Sequence, residues 1–248
     1  MSKAQNKQLV SISPDSFVHK FLKFCYFILT LFLVSCGNGK TEKATQNTVS
    51  EVETNQTENT ATDTKTILCF GDSITAGYGL DDTNDAYPAI LQRKIDALGL
   101  NYTVINSGLS GETTAGGKSR IDWVMNQDVD VFLLELGAND GLRGVPLSET
   151  RKNLQAIIDV VSSKSPETTI ILAGMELPPN MGQDYTSEFR RIYAEIAATN
   201  DVEFIPFILK DVGGIADLNQ NDGIHPTAEG HDIVANTVWE VLEPVISK

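Results

Sequence analysis

The chain has 248 residues, a length that fits one α/β domain with a terminal tail but is short for two full domains. Its formal net charge of −14 would repel phosphate backbones, which excludes a typical nucleic-acid-binding protein. The three cysteines lack the paired spacing of a zinc site or a disulfide framework. Histidine is equally scarce, so a catalytic base has only three candidates: His19, His225 and His231.

The N-terminus has the pattern of a targeting signal. Two lysines precede an apolar run, residues 24–34, that is shorter than the roughly 20 residues of a membrane span and fits a secretory signal core. The run ends in the letters LVSC, which resemble the lipobox of bacterial lipoproteins, whose cysteine is acylated and becomes the first mature residue. We therefore expect residues 1–36 to be a lipoprotein signal peptide ending at Cys36, the lipidation site. The alternative is an uncleaved anchor helix.

Both interpretations of this segment predict a domain held at a bacterial membrane, in the cell envelope, facing the periplasm or the surface. Residues 37–64 are rich in Thr, Asn, Glu and Gln and nearly lack large apolar side chains. Such a segment cannot bury enough surface to offset its chain entropy. We expect a disordered polar tether that spaces the domain, residues 65–248, away from the membrane.

From residue 66 onward, short apolar runs alternate with amphipathic stretches. The runs are β-branched and bounded by Gly or Pro, the pattern of strands buried on both faces: 66–70, 102–106, 129–136, 168–174 and 202–206. Helices are predicted between and after them: 87–98, 118–127, 147–163, 186–199 and 226–246. Repeated β-α units predict a parallel sheet with helices on both faces, and a site beyond the carboxyl ends of the strands.

Four segments with chemistry follow the predicted elements: GDSITAGYG, NSGLSGET, GAND and DGIHP. The serine of the first segment, Ser73, would stand at the tip of a strand between glycines that allow a tight turn. In the last segment, Asp222 and His225 are three residues apart and can face one another. Pro226 suits the first turn of the final helix and favours an extended backbone at His225. A carboxylate on Nδ1 would leave Nε2 free to act as a base.

These four blocks, in this order, resemble the conserved blocks of the SGNH (GDSL) hydrolase family across residues 66–248. The resemblance implies a flavodoxin-like α/β/α sandwich with a parallel five-stranded sheet of order 2-1-3-4-5. It assigns Ser73 as nucleophile, His225 as base and Asp222 as the acid. It also assigns the oxyanion hole to the backbone N–H groups of Ser73 and Gly108 and to the side chain of Asn139.

The blocks around GANDGLRG and LPPNMG resemble more closely the thioesterase I/arylesterase/lysophospholipase subgroup. This implies a serine esterase acting on acyl or aryl esters, thioesters or lysophospholipids, without metal or organic cofactor and without an obligate protein partner. The segment 177–184 is expected to line an acyl groove or to form a mobile loop. Further candidate substrate-binding residues complete the predicted site: Asp72, Asp140, Arg143 and Pro179.

Several alternatives remain open from the residues alone. Asp140 rivals Asp222 as the triad acid, Asp72 fits a structural turn carboxylate, and His231 fits a partly exposed position in the final helix. The letters GETTAGGKS imitate a phosphate-binding loop, but its spacing requires a glycine where Glu112 stands. Two other functions compete with the esterase: a carbohydrate O-acetylesterase, and a non-catalytic envelope binding module.

Overall fold

The computed structural model describes residues 64–248, and every structural statement below concerns this part of the chain. The predicted signal peptide with Cys36, and the predicted tether as far as residue 63, lie outside the described residues. Within 64–248, no helix has both the length and the apolar character needed to cross a membrane.

Five strands form one parallel sheet, whose order β2-β1-β3-β4-β5 confirms the expected fold. The strands are β1 (Lys65–Gly71), β2 (Tyr102–Gly108), β3 (Val131–Glu135), β4 (Thr169–Ala173) and β5 (Glu203–Ile205). Residues 67–70 of β1 and all of β3 are buried, because helices cover both faces of these central strands. The prediction of burial on both faces was wrong for β2 and β5, whose edge positions leave them partly exposed.

Helices flank the sheet on both faces. Those seen in the described residues are α1 (Ser73–Ala76), α2 (Tyr87–Ala97), α3 (Thr114–Val124), α4 (Ala138–Leu142), α5 (Leu147–Lys164), α6 (Gln183–Asn200) and α7 (Ala228–Ile246). Helix α2 packs against α7, while α3 and α6 both pack against α5. The strand order reverses beside β1, so successive crossovers place these two groups on opposite faces of the sheet.

Capping residues explain where two helices differ from prediction. Helix α3 begins four residues earlier than expected because the Thr113 side chain caps it, accepting the N–H of Gly116. Helix α7 begins at Ala228, after the capping Thr227, so placing Pro226 in its first turn was wrong. Pro226 instead forms an isolated β-bridge with Asn219. The short helices α1 and α4 were not predicted, because four or five residues carry no helical periodicity.

The register of the sheet positions the site. Gly71, the last residue of β1, lies beside Gly108 of β2 on one side and Glu135 of β3 on the other. The segments that follow these residues therefore leave the sheet at the same edge. This edge is the switch point between the two halves of the sheet, where open α/β folds form their clefts.

Candidate active site

Ser73 lies at the N-terminus of α1, immediately after β1. The Asp72 side chain caps this helix, with Oδ1 accepting the N–H of Ile74 at 3.1 Å. Ser73 is 9 % exposed and borders the main cleft. A strand that ends in a capped helical turn thus holds the hydroxyl at the carboxyl edge of the sheet. Sequence reasoning placed this serine at the tip of the strand, and the structure agrees.

His225 and Asp222 reach Ser73 from the opposite end of the domain. The Nε2 atom of His225 lies 2.9 Å from Ser73 Oγ, across 152 positions of sequence. The Nδ1 atom of His225 lies 2.6 Å from Oδ2 of Asp222. A hydroxyl, an imidazole and a carboxylate therefore form one continuous hydrogen-bonded chain.

The loop that carries His225 is held by its own backbone and by Asp222. The other carboxylate oxygen, Oδ1, accepts the N–H groups of Ile224 and His225 at 3.0 and 3.1 Å. Gln220 N–H donates to the His225 carbonyl at 2.7 Å, and the Tyr78 ring centroid lies 4.7 Å from that of the imidazole. These contacts fix the direction in which the imidazole faces.

Asn139 occupies the first turn of α4 and contacts Asp72, the residue before Ser73. Its Nδ2 donates to Oδ2 of Asp72 at 3.1 Å, and its Oδ1 accepts from Arg143 at 3.2 Å. The second Nδ2 hydrogen has no acceptor among residues 64–248, and Asn139 borders the cleft. The backbone N–H of Ser73 also has no acceptor within this part of the chain. Two residues to which the family resemblance assigns donors, Ser73 and Asn139, therefore border the same cleft.

Gly108 does not occupy the place that the resemblance assigned to it. Its N–H donates to Oδ1 of Asn106 at 2.9 Å, and it does not border the cleft. A Cβ at this position would lie 2.2 Å from the backbone nitrogen of Ala76, so the glycine serves the close packing of α1 on β2. Gly108 as an oxyanion-hole donor is thus contradicted by the geometry.

Gly111, three residues further on, does border the cleft. Its φ of +78° suits glycine, and its N–H finds no acceptor among the described residues. Sequence reasoning missed it because the block NSGLSGET contains two glycines and only the tertiary structure separates their roles. The available signal was position: Gly111 lies two residues before the Thr113 cap of α3, in the turn that leaves the sheet.

The four candidate substrate-binding residues have different surroundings. Pro179 lines the cleft, together with Leu177 and Pro178 of the predicted groove segment. Asp140 is 1 % exposed and accepts from the Thr114 N–H at 2.8 Å, so it ties α4 to α3 and is neither a cleft residue nor the acid beside His225. Asp72 borders the cleft, but its oxygens are engaged by Ile74 and Asn139. Arg143 is exposed and does not border the cleft.

The cleft itself is largely apolar. It encloses about 650 Å³, within the range of sites for small organic ligands. Apolar side chains from several segments line it: Ile74, Leu142, Met175, Leu177, Phe207 and Leu209. The Ser73 hydroxyl and the His225 ring border the same space. An ester placed at Ser73 can therefore lay an apolar group along these walls.

Buried acids lie beneath Ser73. Burial raises the pKa of Asp72 to about 6, against the opposing hydrogen bonds from Ile74 and Asn139. Burial also raises the pKa of Glu135 well above its usual range, and the neighbouring Asp72 charge adds to the rise. Glu135 Oε2 accepts from the Asp72 N–H at 3.1 Å and from Thr75 Oγ1 at 2.8 Å. Sequence reasoning missed Glu135 because it ends an apolar strand.

The pKa of Asp222 is shifted in the opposite direction. Partial burial raises the pKa of its carboxyl, but the hydrogen bonds from the His225 ring and from two backbone N–H groups outweigh this and lower the pKa to about 2. The group is therefore ionised at neutral pH. An ionised carboxylate on Nδ1 keeps the Nδ1 proton in place and leaves Nε2 facing Ser73 as an acceptor.

His231 is not the exposed helix residue that the sequence suggested. It is 1 % exposed, and its Nδ1 accepts the N–H of Tyr87 at 3.3 Å. Burial, together with the smaller effect of the nearby His225, lowers its pKa to about 4. Its role is to join α7 to the start of α2. Among residues 64–248, no group of three or more His, Cys, Asp or Glu side chains is arranged to hold a metal ion.

Comparisons with known proteins agree with this geometry. The model of the GDSL-like Lipase/Acylhydrolase family matches residues 69–233. Esterase TesA of Pseudomonas aeruginosa is 36% identical over 183 residues, 73% of this chain and 90% of that protein. Thioesterase 1/protease 1/lysophospholipase L1 of Escherichia coli is 33% identical, over 73% of this chain and 85% of that protein. A crystal structure of TesA matches with a TM-score of 0.70 and 36% identity, covering 73% of this chain and 99% of that one. The chain therefore belongs to the GDSL-like lipase/acylhydrolase family of ester hydrolases.

Proposed function

We propose that this protein hydrolyses acyl esters in two steps, with Ser73 as the nucleophile. The observation that carries the proposal is the chain of hydrogen bonds from Ser73 Oγ through His225 to Asp222, at 2.9 and 2.6 Å. This chain opens into an apolar cleft of about 650 Å³. A serine paired with an oriented imidazole is the arrangement that activates a hydroxyl for attack on a carbonyl carbon.

In the first step, His225 Nε2 takes the proton of Ser73 while Oγ bonds to the ester carbonyl carbon. The carbonyl oxygen becomes an oxyanion, and the N–H groups of Ser73 and Gly111 with the Asn139 amide are the donors that face it. When the tetrahedral intermediate collapses, His225 returns the proton to the leaving alcohol. Water then attacks the acyl-enzyme with His225 again as base, which releases the acid and restores the serine.

The lining of the cleft favours a substrate with an apolar acyl group. Leu177, Phe207 and Leu209 offer carbon surface and no charge to the part of the substrate beyond the carbonyl. The names of the relatives, esterase and thioesterase/lysophospholipase, fit the same range of substrates. We therefore propose acyl esters, acyl thioesters and lysophospholipids as the substrate class.

A chain-length series tests this substrate class. Purified residues 65–248 are assayed with p-nitrophenyl esters from acetyl to dodecanoyl, an acyl-thioester and a lysophospholipid. We expect kcat/KM to rise beyond acetyl, because each CH₂ placed on the apolar wall contributes up to about 0.8 kcal/mol. Turnover confined to the acetyl ester would contradict the proposal and favour the carbohydrate O-acetylesterase.

A fluorophosphonate probe tests the nucleophile. We expect stoichiometric labelling of Ser73 in the folded protein, and neither labelling nor turnover in Ser73→Ala. The thermal stability of that variant should stay near wild type, because only one oxygen atom is removed. Folded protein that resists the probe and shows no turnover would indicate a binding module instead of an enzyme.

We also propose that the enzyme is a lipoprotein of the bacterial cell envelope. The support is the sequence of residues 17–36, in which a short apolar run ends in LVSC. Membrane fractionation of cells that express the full chain tests it, with Cys36→Ser as the variant and Ser35→Ala as its neighbour control. We expect only the cysteine variant to leave the membrane fraction. Equal partition of both variants would contradict lipidation at Cys36.

A further inference from the structure

We propose that Arg143 is a positioning residue that orients the side-chain amide of Asn139 toward the reacting carbonyl. The inference rests on the proposed function, because it concerns a donor of the oxyanion hole. Arg143 neither borders the cleft nor contacts Ser73, so its influence on the reaction passes through another side chain.

The hydrogen bonds of Asn139 allow only one orientation of its side-chain amide. The Arg143 guanidinium, which can only donate, lies 3.2 Å from Oδ1. The Asp72 carboxylate, which accepts, lies 3.1 Å from Nδ2. Rotating the amide by 180° would set Nδ2 against the guanidinium and Oδ1 against the carboxylate, and both hydrogen bonds would be lost. The free Nδ2 hydrogen is therefore held toward the cleft beside Ser73.

The charges of the two partners also stabilise this orientation. A cation stands at the oxygen end of the amide and an anion stands at its nitrogen end. This arrangement follows the dipole of the amide, so it stabilises the observed orientation, and the cation at the oxygen increases the polarity of the free N–H. A donor that is fixed before substrate arrives has no reorganisation cost when negative charge develops on the substrate oxygen.

Arg143 is itself anchored by the loop that follows β2. The Nη2 atom that reaches Asn139 also donates to the carbonyl oxygen of Gly111 at 3.1 Å. That loop is fixed in turn by Glu112, whose carboxylate receives two hydrogen bonds from Arg120 at 2.8 and 2.6 Å. The guanidinium is exposed to solvent, yet it spans two rigid segments, α4 and the 108–113 loop.

A double-mutant cycle between Arg143 and Asn139 tests the inference. Four proteins are compared by kcat and KM on p-nitrophenyl butyrate: wild type, Arg143→Met, Asn139→Ala and the double variant. Methionine keeps much of the length of the side chain and removes every donor. Arg93→Met serves as a matched control, since Arg93 is also exposed and donates to a backbone carbonyl, that of Asn84 at 2.6 Å, away from the cleft.

We expect Arg143→Met to lower kcat about 10- to 100-fold with little change in KM, because loss of a whole donor costs about 100- to 1000-fold. In the Asn139→Ala background, the same substitution should change kcat less than about threefold, because the amide through which it acts is absent. The Arg93→Met control should match wild type.

Equal losses of kcat in both backgrounds would overturn the inference, since Arg143 would then act independently of Asn139. A rise in KM without loss of kcat would also overturn it and indicate direct contact with substrate. If Arg143→Met unfolds at a lower temperature, Arg143→Gln repeats the cycle with a side chain that retains one donor group. A wild type that neither turns over the ester nor reacts with a fluorophosphonate would refute the proposed function itself, which separates the two failures.

Discussion

The Nδ1 atom of His225 lies 2.6 Å from Oδ2 of Asp222, a residue only three positions earlier in the chain. Both oxygens of this carboxylate are engaged, because Oδ1 accepts the N–H groups of Ile224 and His225. One side chain thus shapes the loop and also orients the imidazole. The contact between His225 and Asp222 is therefore local, whereas the contact between His225 and Ser73 joins residues 152 positions apart.

Asp222→Asn should lower kcat about 10⁴-fold while leaving the fold intact. The amide oxygen can keep the backbone hydrogen bonds, but an NH₂ group would then face Nδ1. This favours the tautomer with its proton on Nε2, which cannot accept a proton from Ser73. The measurement is kcat on an aryl ester beside a thermal melt. A variant that retains a tenth of wild-type kcat would contradict the assigned role.

Gly108→Ala should lose thermal stability, whereas Gly111→Ala should lose catalytic activity. At position 108 the new methyl would lie 2.2 Å from the Ala76 nitrogen, so we expect a clear fall in melting temperature. At position 111 the nearest atom is Arg143 Nη2 at 3.5 Å, and only the positive φ is strained, at about 1–2 kcal/mol. We expect that variant to stay folded and lose kcat. Thermal melts and kcat measured together distinguish them, and the reverse outcome would restore Gly108 to the oxyanion hole.

The lowered pKa of His231 leads us to expect a loss of stability at mildly acidic pH. Its pKa is about 4 in the folded protein, against 6.5 for an ordinary histidine, so the unfolded chain binds more protons between these values. The stabilisation is complete above pH 6.5 and decreases as pH falls toward 4, by up to about 3 kcal/mol. His231→Asn should lack this decrease, since its amide oxygen can accept the Tyr87 N–H at any pH. Urea unfolding from pH 4 to 8 measures this difference. If the unfolding free energies of the two proteins change in parallel with pH, His231 is not the cause of the decrease.

The raised pKa of Glu135 leads us to expect the opposite dependence of the unfolding free energy on pH. Because burial raises the pKa of its carboxyl well above 4.5, the ordinary value that applies in the unfolded chain, the folded state binds more protons above that pH. This contribution makes stability decrease as pH rises above 4.5. Glu135→Gln cannot ionise, so its unfolding free energy should decline less between pH 5 and 8.

The control for this prediction is Glu167→Gln. Glu167 is an exposed residue before β4, so this variant controls for the removal of one carboxyl at the surface. Urea titrations of the three proteins at several pH values give the slopes directly. If the Glu135 variant and the control both show the wild-type slope, the carboxyl of Glu135 is ionised in the folded protein.

The amino-acid sequence by itself determined the layered fold, the family and the main site segments. Buried parallel strands must be apolar and helices must repeat every 3.6 residues, so β1, β3 and α5 are visible as patterns along the chain. Ser73, Asn139 and His225 were predicted as site residues because each follows a predicted element within an ordered block. The classification as an ester hydrolase is confirmed by the family match.

Only the tertiary structure decided which atoms face the cleft. Gly108 and Gly111 are the same residue type in one block, and they differ in backbone conformation, in the partner of the N–H and in what packs against them. In the sequence, Glu135 is only the end of an apolar strand and His231 only a polar position in a helix. The tertiary structure shows that neighbouring elements bury both side chains. Hydrogen-bond direction, burial and pKa depend on groups far away in sequence, and no local pattern encodes those distances.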